Sequence, residues 1–255
     1  MPKSVWLALP DGHQMGRVVS FLKASGLRVL GYDIDPATKA QTLWDRPTVA
    51  IPGVQIKVIR PQDMPLHVAN QHFDLAVTGQ DWLAEHLSAF PGSPARELVT
   101  IREGKVITIG AVVYGEFPAQ NVAELRDLVQ QGKLRYPFAR VASEYVNLAD
   151  RWAQERRIGR YRIVPTFGKT EAYLPQDADL LIENREEGTT LKRHGLRILE
   201  DYLESWPCVI GNTESLRDPE KRAALHTLLD AVTTPASTEA TPLLREFQVG
   251  SAARA

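Results

Sequence analysis

Short apolar runs alternate along this chain with stretches in which apolar residues recur every three or four positions. The first run, residues 4–9, stops at Pro10, and this break predicts a buried strand followed by a turn. After the turn, Val18 and Leu22 fall on one helical face, and Gly26 marks the end of that helix. Strand and helix patterns continue to alternate, which predicts an α/β fold with mostly parallel sheets.

The same patterns predict the remaining elements. Predicted strands cover residues 28–32, 55–60, 73–78, 106–114, 140–142, 161–165, 178–182, 196–199 and 207–210. Predicted helices begin at Pro61 and at residue 81, cover residues 119–131 and 145–155, and run from Asp218 as N-cap to residue 232. Residues 33–52 show no sustained period, so we expect a loop with short pieces of structure there.

The chain divides at its longest β-rich run, VITIGAVVY. This run predicts a passage into a second lobe, so that residues 1–105 and 191–232 form lobe I and residues 106–190 form lobe II. The stretch TTPASTEATP has the composition of a solvated linker, and the residues after it are too few to fold alone. We therefore expect residues 233–255 to be a linker and a fraying tail.

Composition narrows the classes of function. Of 255 residues, 44% are apolar and 24% charged, with a formal net charge of −1. These values give no electrostatic reason to expect a nucleic-acid groove, and no apolar run approaches the length of a membrane span. The apolar run near the N-terminus is too short for a secretory signal, so we expect a cytoplasmic protein. Cys208 is the single cysteine, which excludes an internal disulfide and a cysteine-built metal site.

The most informative stretch is ADLLIENREEGTTLKRHGL, which begins as a strand and continues as a polar turn. Gly188 allows backbone amides to approach a ligand, and Thr189 and Thr190 add hydroxyl donors, a combination that suits a phosphate. Glu183, at the end of the strand, is placed to accept hydrogen bonds from ribose hydroxyls. The alternative is an ordinary strand-to-helix turn in which a threonine caps the helix.

Two motifs in the first half of the chain offer further contacts. In RPQD, Arg60 is a candidate anion donor, although Asp63 at the helix start could pair with it instead. In TGQD, Gly79 ends a strand where a ligand can approach, while Thr78 and Asp81 could equally be capping residues.

Two motifs in the second half add polar groups. In ASEYVN, Ser143 and Asn147 stand at a helix start, where an anion or a base could bind, although Ser143 as a plain N-cap is the simpler interpretation. In GKTE, Lys169 follows a strand and could reach a phosphate, with Glu171 beside it; an exposed loop lysine is the alternative.

Together these motifs resemble, in order and spacing, the catalytic subunit of ATP phosphoribosyltransferase, the first enzyme of histidine biosynthesis. The matching pieces are LALPDGH at residues 7–13, IRPQDMPLHV at 59–68, FDLAVTGQDWLAE at 73–85, VASEYVNLADRW at 141–152, GKTEAYLP at 168–175 and EGTTLKRHGL at 187–196. The resemblance implies a two-lobed fold like that of type II periplasmic binding proteins.

The resemblance also implies an activity. It is the transfer of phosphoribosyl from phosphoribosyl pyrophosphate to N1 of ATP, with release of pyrophosphate. Mg²⁺ would arrive with the pyrophosphate rather than occupy a dedicated site. The chain matches the short form of the enzyme, which implies a histidyl-tRNA-synthetase-like regulatory subunit and a homo-oligomer.

The resemblance assigns roles residue by residue. The phosphoribosyl-binding residues would be Arg185, Glu187, Gly188, Thr189 and Thr190. The catalytic residues would be Lys169, Glu171 and Glu183. The nucleotide-binding residues would be Asp11, Gly12, His13, Arg60, Thr78, Gly79, Ser143 and Asn147.

This sequence departs from the family pattern at several of these positions. Asp11 and His13 stand where basic residues are usual, Glu187 replaces a threonine, and Lys169 replaces a small residue. A carboxylate near a phosphate is repelled unless it turns away, is protonated or is bridged by a metal. Two alternatives follow, namely a divergent relative with another nucleotide or sugar ligand, and a non-catalytic cytosolic binding protein of the same fold.

Overall fold

The computed structural model describes residues 3–32, 47–104, 106–185 and 194–252. The strands in chain order are β1 (Val5–Pro10), β2 (Val29–Leu30), β3 (Thr48–Val49), β4 (Val54–Ile59), β5 (Leu75–Gly79), β6 (Ala95–Ile101), β7 (Ile107–Tyr114), β8 (Ala139–Ser143), β9 (Tyr161–Pro165), β10 (Leu180–Arg185), β11 (Leu196–Ser205), β12 (Pro207–Asn212) and β13 (Thr238–Ala240).

The α-helices alternate with these strands over much of the chain. They are α1 (Met15–Ala24), α2 (Met64–Ala69), α3 (Gln80–Ala89), α4 (Val122–Gln130), α5 (Val146–Glu155), α6 (Arg222–Thr233) and α7 (Pro242–Ala252). None of these helices is long and apolar enough to cross a membrane, within the residues described.

The chain forms two compact units. Unit 1 comprises Met1–Leu83, Gly92–Gly104 and Trp206–Ala255, and unit 2 comprises Ala84–Pro91 and Lys105–Ser205. Each unit is built on one large sheet, and unit 1 also contains the short antiparallel pair β2-β3. The predicted α/β architecture with two lobes is confirmed.

The sheet of unit 1 has the strand order β13-β6-β12-β5-β1-β4. β1 runs parallel to both β4 and β5, whereas β12, β6 and β13 complete the sheet by antiparallel pairing. Every residue of β5 is buried, as expected for a central strand covered on both faces. The buried faces of α1 and α6 pack into the same core as these strands.

The sheet of unit 2 has the strand order β11-β7-β10-β8-β9. β8 runs parallel to β9 and β10, and β7 joins β10 and β11 by antiparallel pairing. The helix α5 covers the sheet with Leu148 and Trp152, which are buried as their four-residue spacing predicts.

Sequence patterns missed or misplaced parts of unit 1. The strand β6 was not predicted, because Arg96 and Glu97 interrupt its apolar pattern. The expected N-cap at Asp218 was wrong, because α6 begins three residues after the predicted Pro219 start, at Arg222. The Asp218 carboxylate instead accepts a hydrogen bond from the Glu220 amide.

The expected linker and fraying tail was also wrong over residues 238–252. β13 pairs with β6 from Thr238 opposite Ile101, and the amide of Thr241 donates to the carbonyl of Leu98. The helix α7 buries Leu244 completely. Local composition gave no sign of this, because the strand forms only through backbone bonds to the edge of β6.

A buried ion pair connects three parts of unit 1. Asp74 immediately precedes β5 and is 1% exposed, and its carboxylate accepts from the Trp6 amide at 2.8 Å and from Lys221 Nζ at 2.6 Å. Lys221 stands at the start of α6. One carboxylate therefore joins β1, β5 and α6.

The substitution Lys221→Met should destabilise unit 1 strongly. It leaves the Asp74 carboxylate buried without its cation, and loss of one partner of a buried pair costs about 3 kcal/mol. Denaturant unfolding monitored by tryptophan fluorescence measures the loss.

Lys3→Met is the matched control, because Lys3 pairs with Asp218 at 3.0 Å but has a largely exposed side chain. We expect little change there, since exposed pairs contribute little. Equal losses in the free energy of unfolding for the two substitutions would show that the buried Asp74 pair stabilises the protein no more than an exposed pair does.

Candidate functional site

Polar residues follow the carboxyl ends of the parallel strands in each unit. In unit 1 these strands are β1, β4 and β5, and in unit 2 they are β8, β9 and β10. Ligands of open α/β sheets bind beyond this edge. We describe the two sets of residues separately, as the unit 1 cluster (Asp11, Gln14, Arg60, Gly79, Asp81) and the unit 2 cluster (Glu144, Lys169, Thr170, Glu171, Glu183).

The unit 1 cluster contains an ion pair between two predicted site residues. Asp11 follows β1 and Arg60 follows β4, and the Arg60 Nε lies 3.4 Å from the Asp11 carboxylate. The Arg60 side chain remains largely exposed. The second carboxylate oxygen of Asp11, Oδ1, is buried and has no hydrogen-bond partner in the described structure. Within this pair, the Arg60 guanidinium is exposed enough to contact a ligand, and Asp11 Oδ1 could accept one more hydrogen bond.

At the end of β5 the Asp81 carboxylate occupies the space in which a side chain on residue 79 would stand. A Cβ built on Gly79 would lie 2.0 Å from Asp81 Oδ1 and 3.4 Å from Gln14 Nε2. The neighbouring Thr78 is fully buried, and its hydroxyl donates to the Pro61 carbonyl at 2.9 Å. Gly79 therefore lets the Asp81 carboxylate lie close to the end of β5. The Thr78 hydroxyl instead joins β5 to the turn that follows β4.

The remaining residues predicted from the first motif lie on a short 3₁₀ turn, Gly12–Gln14. Gly12 and His13 are both exposed. A Cβ on Gly12 would lie 3.4 Å from Arg60 Nη1, which places this glycine beside the ion pair.

The unit 2 cluster is acidic. The pKa of Glu183 is raised from its ordinary value of 4.5 to about 7. Burial is the main cause, and the nearby Glu144 and Glu171 carboxylates add to it, while hydrogen bonds from the Asn184 amide and the Thr170 hydroxyl act against it. Burial also raises the pKa of Glu144, although the Gly168 amide donates to that carboxylate. Glu183 is therefore a carboxyl group that changes its charge near neutral pH.

The loop after β9 carries the other members of this cluster. Thr166 and Thr170 are both buried, with their hydroxyl oxygens 2.8 Å apart. Gly168 and Lys169 both have positive φ, of 109° and 51°. Lys169 is exposed and forms no ion pair with any residue that the structure describes. The loop thus brings Lys169 and Glu171 to the same strand ends as Glu183.

The predicted contacts at the start of α5 are occupied by protein groups. Ser143 ends β8 and donates to the Ile182 carbonyl at 2.5 Å, and its hydroxyl accepts from the Tyr145 amide. The N-cap is Tyr145, so the prediction of Ser143 as N-cap was wrong. The Glu85 carboxylate accepts from both the amide and the side-chain nitrogen of Asn147.

The predicted phosphate loop is only partly within the described residues. Glu187, Gly188, Thr189 and Thr190 lie outside them. Arg185, at the end of β10, is described, and its Nη2 donates to Asp201 Oδ1 at 2.5 Å. Its buried Nε has no hydrogen-bond partner in the described structure.

The chain matches a family model described as ATP phosphoribosyltransferase (HisG) over residues 60–234. It is 30% identical to the ATP phosphoribosyltransferase of Metallosphaera sedula over 217 residues, which are 84% of this chain and 67% of that protein. The chain belongs to the ATP phosphoribosyltransferase family.

Solved structures confirm the fold of this family member. The ATP phosphoribosyltransferase (HisG:HisZ) complex from Thermotoga maritima aligns with a TM-score of 0.65 at 19% identity, covering 90% of this chain and 98% of that one. The periplasmic aliphatic sulphonate binding protein SsuA from Escherichia coli aligns with a TM-score of 0.51 at 15% identity, covering 99% and 77%. The predicted likeness to periplasmic binding proteins is thereby confirmed at the level of fold.

Sequence reasoning missed three acidic partners in this ATP phosphoribosyltransferase family member. Glu144 and Glu85 both lie inside motifs that carry the resemblance, ASEYVN and FDLAVTGQDWLAE. Their positions beside Gly168 and Asn147 depend on tertiary packing, which the motifs do not show. Asp201 lies in β11, which has no motif at all.

The Glu183→Gln substitution should change how stability depends on pH. The pKa of Glu183 is raised in the folded state, so the folded protein holds a proton that the unfolded chain releases between about pH 4.5 and about pH 7. Wild-type stability therefore falls as pH rises through this window, and Glu183→Gln should gain stability relative to wild type over the same range. Urea unfolding at a series of pH values measures this difference.

Glu155→Gln serves as a comparison of opposite sign. Arg151 lowers the pKa of Glu155, so that carboxylate stabilises the fold as pH rises and its removal should cost stability at higher pH. A pH-independent difference between Glu183→Gln and wild type would contradict the shifted pKa.

Proposed function

We propose that this chain transfers the phosphoribosyl group of phosphoribosyl pyrophosphate to N1 of ATP and releases pyrophosphate, the first step of histidine biosynthesis. The family match over residues 60–234 carries the proposal. The acidic cluster at the strand ends of unit 2 supports it, because Glu183 stands immediately before the glycine- and threonine-bearing segment of the same motif.

Unit 2 residues would hold the phosphoribosyl group. Glu183 would accept hydrogen bonds from the ribose hydroxyls, which its carboxylate form does best. The backbone amides of Glu187 and Gly188 and the hydroxyls of Thr189 and Thr190 would bind the 5′-phosphate, with the Glu187 carboxylate turned away from it. The unpartnered Nε of Arg185 would add a donor. Lys169 would place a positive charge near the leaving pyrophosphate, and Glu171 would help to orient it.

The described residues fit a Mg²⁺ ion that is held mainly by the pyrophosphate. They contain no group of three His, Cys, Asp or Glu side chains placed to bind a metal. The Glu144, Glu171 and Glu183 carboxylates nevertheless lie close enough to influence one another, and Mg²⁺ bound to phosphates needs only one or two protein carboxylates. When bound, the ion would neutralise charge that develops on pyrophosphate.

Unit 1 residues would contact the nucleotide. Arg60 is the cation of the cluster, and Gly12 and Gly79 allow close approach. Asp11 and His13 are polar residues on either side of Gly12. The buried Oδ1 of Asp11 is an acceptor without a donor in the described structure. Thr78 in unit 1, and Ser143 and Asn147 in unit 2, already bind protein atoms through their polar groups, so each would position its own unit's residues rather than contact the nucleotide.

We further propose that the protein is cytoplasmic and works as a homo-oligomer with a regulatory subunit resembling histidyl-tRNA synthetase. The Thermotoga maritima structure that shares this fold is a complex of HisG with HisZ. The regulatory subunit of this chain would be the corresponding protein.

Pyrophosphate release tests the function directly. The purified chain with ATP, phosphoribosyl pyrophosphate and Mg²⁺, alone and with its regulatory subunit, should release pyrophosphate in amounts equal to the phosphoribosyl-ATP formed. A coupled pyrophosphatase assay and chromatography of the product measure the two. The activity is refuted if neither mixture forms product while both proteins remain folded.

A second candidate is a relative that acts on a less anionic ligand, and the ion pair at Asp11 favours it. This carboxylate neutralises Arg60 in a place where the family usually has positive charge. Thermal-shift measurements with phosphoribosyl pyrophosphate separate the two candidates, because only the first predicts stabilisation.

The substitution Asp11→Asn should strengthen ATP binding. It removes the carboxylate that pairs with Arg60, and the energy of an exposed pair corresponds to about a twofold to fivefold lower Kd. Isothermal titration with ATP measures the Kd.

Asp218→Asn is the control, because it removes an exposed carboxylate that pairs with Lys3 instead. We expect no change in ATP affinity for this variant. Weaker ATP binding by Asp11→Asn would place the carboxylate, rather than Arg60, in contact with a donor of the nucleotide.

A further inference from the structure

A phenylalanine stands almost entirely in solvent beside the unit 2 cluster. Phe167 is 96% exposed, whereas Thr166 and Thr170 in the same loop are each 2% exposed. A phenyl ring offers a large apolar area, and leaving it in water forgoes the stabilisation that burial would give. Phe167 therefore contributes little to the folding of unit 2.

The loop that carries this ring is anchored independently of it. The Thr166 amide donates to the Ser143 carbonyl at 3.0 Å, and the Thr166 and Thr170 hydroxyls are 2.8 Å apart. The chain then turns outward through the positive φ angles of Gly168 and Lys169. Bonds on both sides of Phe167 thus hold the backbone while the side chain points away from the core.

The anchored loop places the ring within reach of the proposed substrate site. Thr170 donates its hydroxyl to the Glu183 carboxylate, and Phe167 precedes Thr170 by three residues, which span at most about 11 Å. Of the two substrates in the proposed reaction, only the nucleotide has a flat aromatic ring. Phosphoribosyl pyrophosphate has no flat ring on which a phenyl face could stack.

We propose that Phe167 is a specificity-determining residue that stacks on the purine ring of the nucleotide substrate. The inference rests on the proposed function and adds to it the residue that recognises the base. Stacking uses the faces of the two rings, so it selects for a large flat base and is indifferent to the hydrogen-bonding edge. The ring makes no contribution to binding of phosphoribosyl pyrophosphate.

Three substitutions in the full chain test the proposal. Phe167→Ala removes the ring, Phe167→Leu keeps an apolar side chain without a ring, and Phe167→Trp keeps an aromatic face. We expect the alanine and leucine variants to raise the Kd and the KM for ATP about tenfold, with the KM for phosphoribosyl pyrophosphate unchanged, and the tryptophan variant to bind ATP as tightly as wild type.

Phe90→Ala is the matched control, because Phe90 is another exposed phenylalanine, at 55%, and lies outside both clusters. It should leave the Kd and both KM values unchanged. Thermal unfolding of the Phe167 variants should match wild type, since that ring is almost fully exposed.

Several results would overturn the stacking role. They are an unchanged ATP Kd for Phe167→Ala, full ATP affinity in Phe167→Leu, or an altered oligomer size with unaltered ATP binding, which would make the ring part of a protein interface. If wild type releases no pyrophosphate, the proposed function fails, and equilibrium titration of the same variants with ATP still decides the stacking. If wild type is active and Phe167→Ala has normal kinetics, only the stacking fails.

Discussion

Each unit depends on a buried aspartate at the start of its central parallel strand. The amide of Asp74 donates to the carbonyl of Trp6 and its carboxylate accepts from the Trp6 amide; Asp179 makes the same two bonds with Arg140. A buried carboxylate is costly unless a cation accompanies it, and Lys221 or the Arg140 guanidinium supplies the charge. The same device therefore holds neighbouring parallel strands together in both units.

The aspartate hydrogen bonds at the start of these strands fix the strand register, and the register determines which residues lie at the carboxyl ends of the strands. With Leu75 opposite Leu7, β1 ends before Asp11 and β5 ends at Gly79. In unit 2, Leu181 opposite Ala142 places Glu183 just beyond the end of β8. A shift of one residue would send the side chains of a strand to the opposite face, so the candidate sites exist only while the aspartates keep this register.

The sequence predicted those parts of the fold whose cause is local. The buried strand β5 and the buried first half of β10, residues 180–182, appear as short apolar runs. The helix α5 shows its helical period through Leu148 and Trp152. β6 and β13 could not be predicted, because their pairing depends on neighbours distant in the chain. For the site, motif order led to Glu183 and to the loop at Lys169, whereas the raised pKa of Glu183 results from burial and from Glu144, which only the folded chain reveals.

The acidity of unit 2 limits where a phosphate can bind. The start of α5 would ordinarily attract an anion, but Glu85 already accepts from the amides of Asn147 and Leu148 there. The start of α5 is therefore not available to a phosphate. Because burial raises its pKa, Glu183 carries less negative charge at neutral pH than an ordinary carboxylate, so its repulsion of a phosphate is weaker. Burial of this one side chain thus makes an acidic cluster compatible with an anionic sugar, and a cation carried by the substrate would complete the neutralisation.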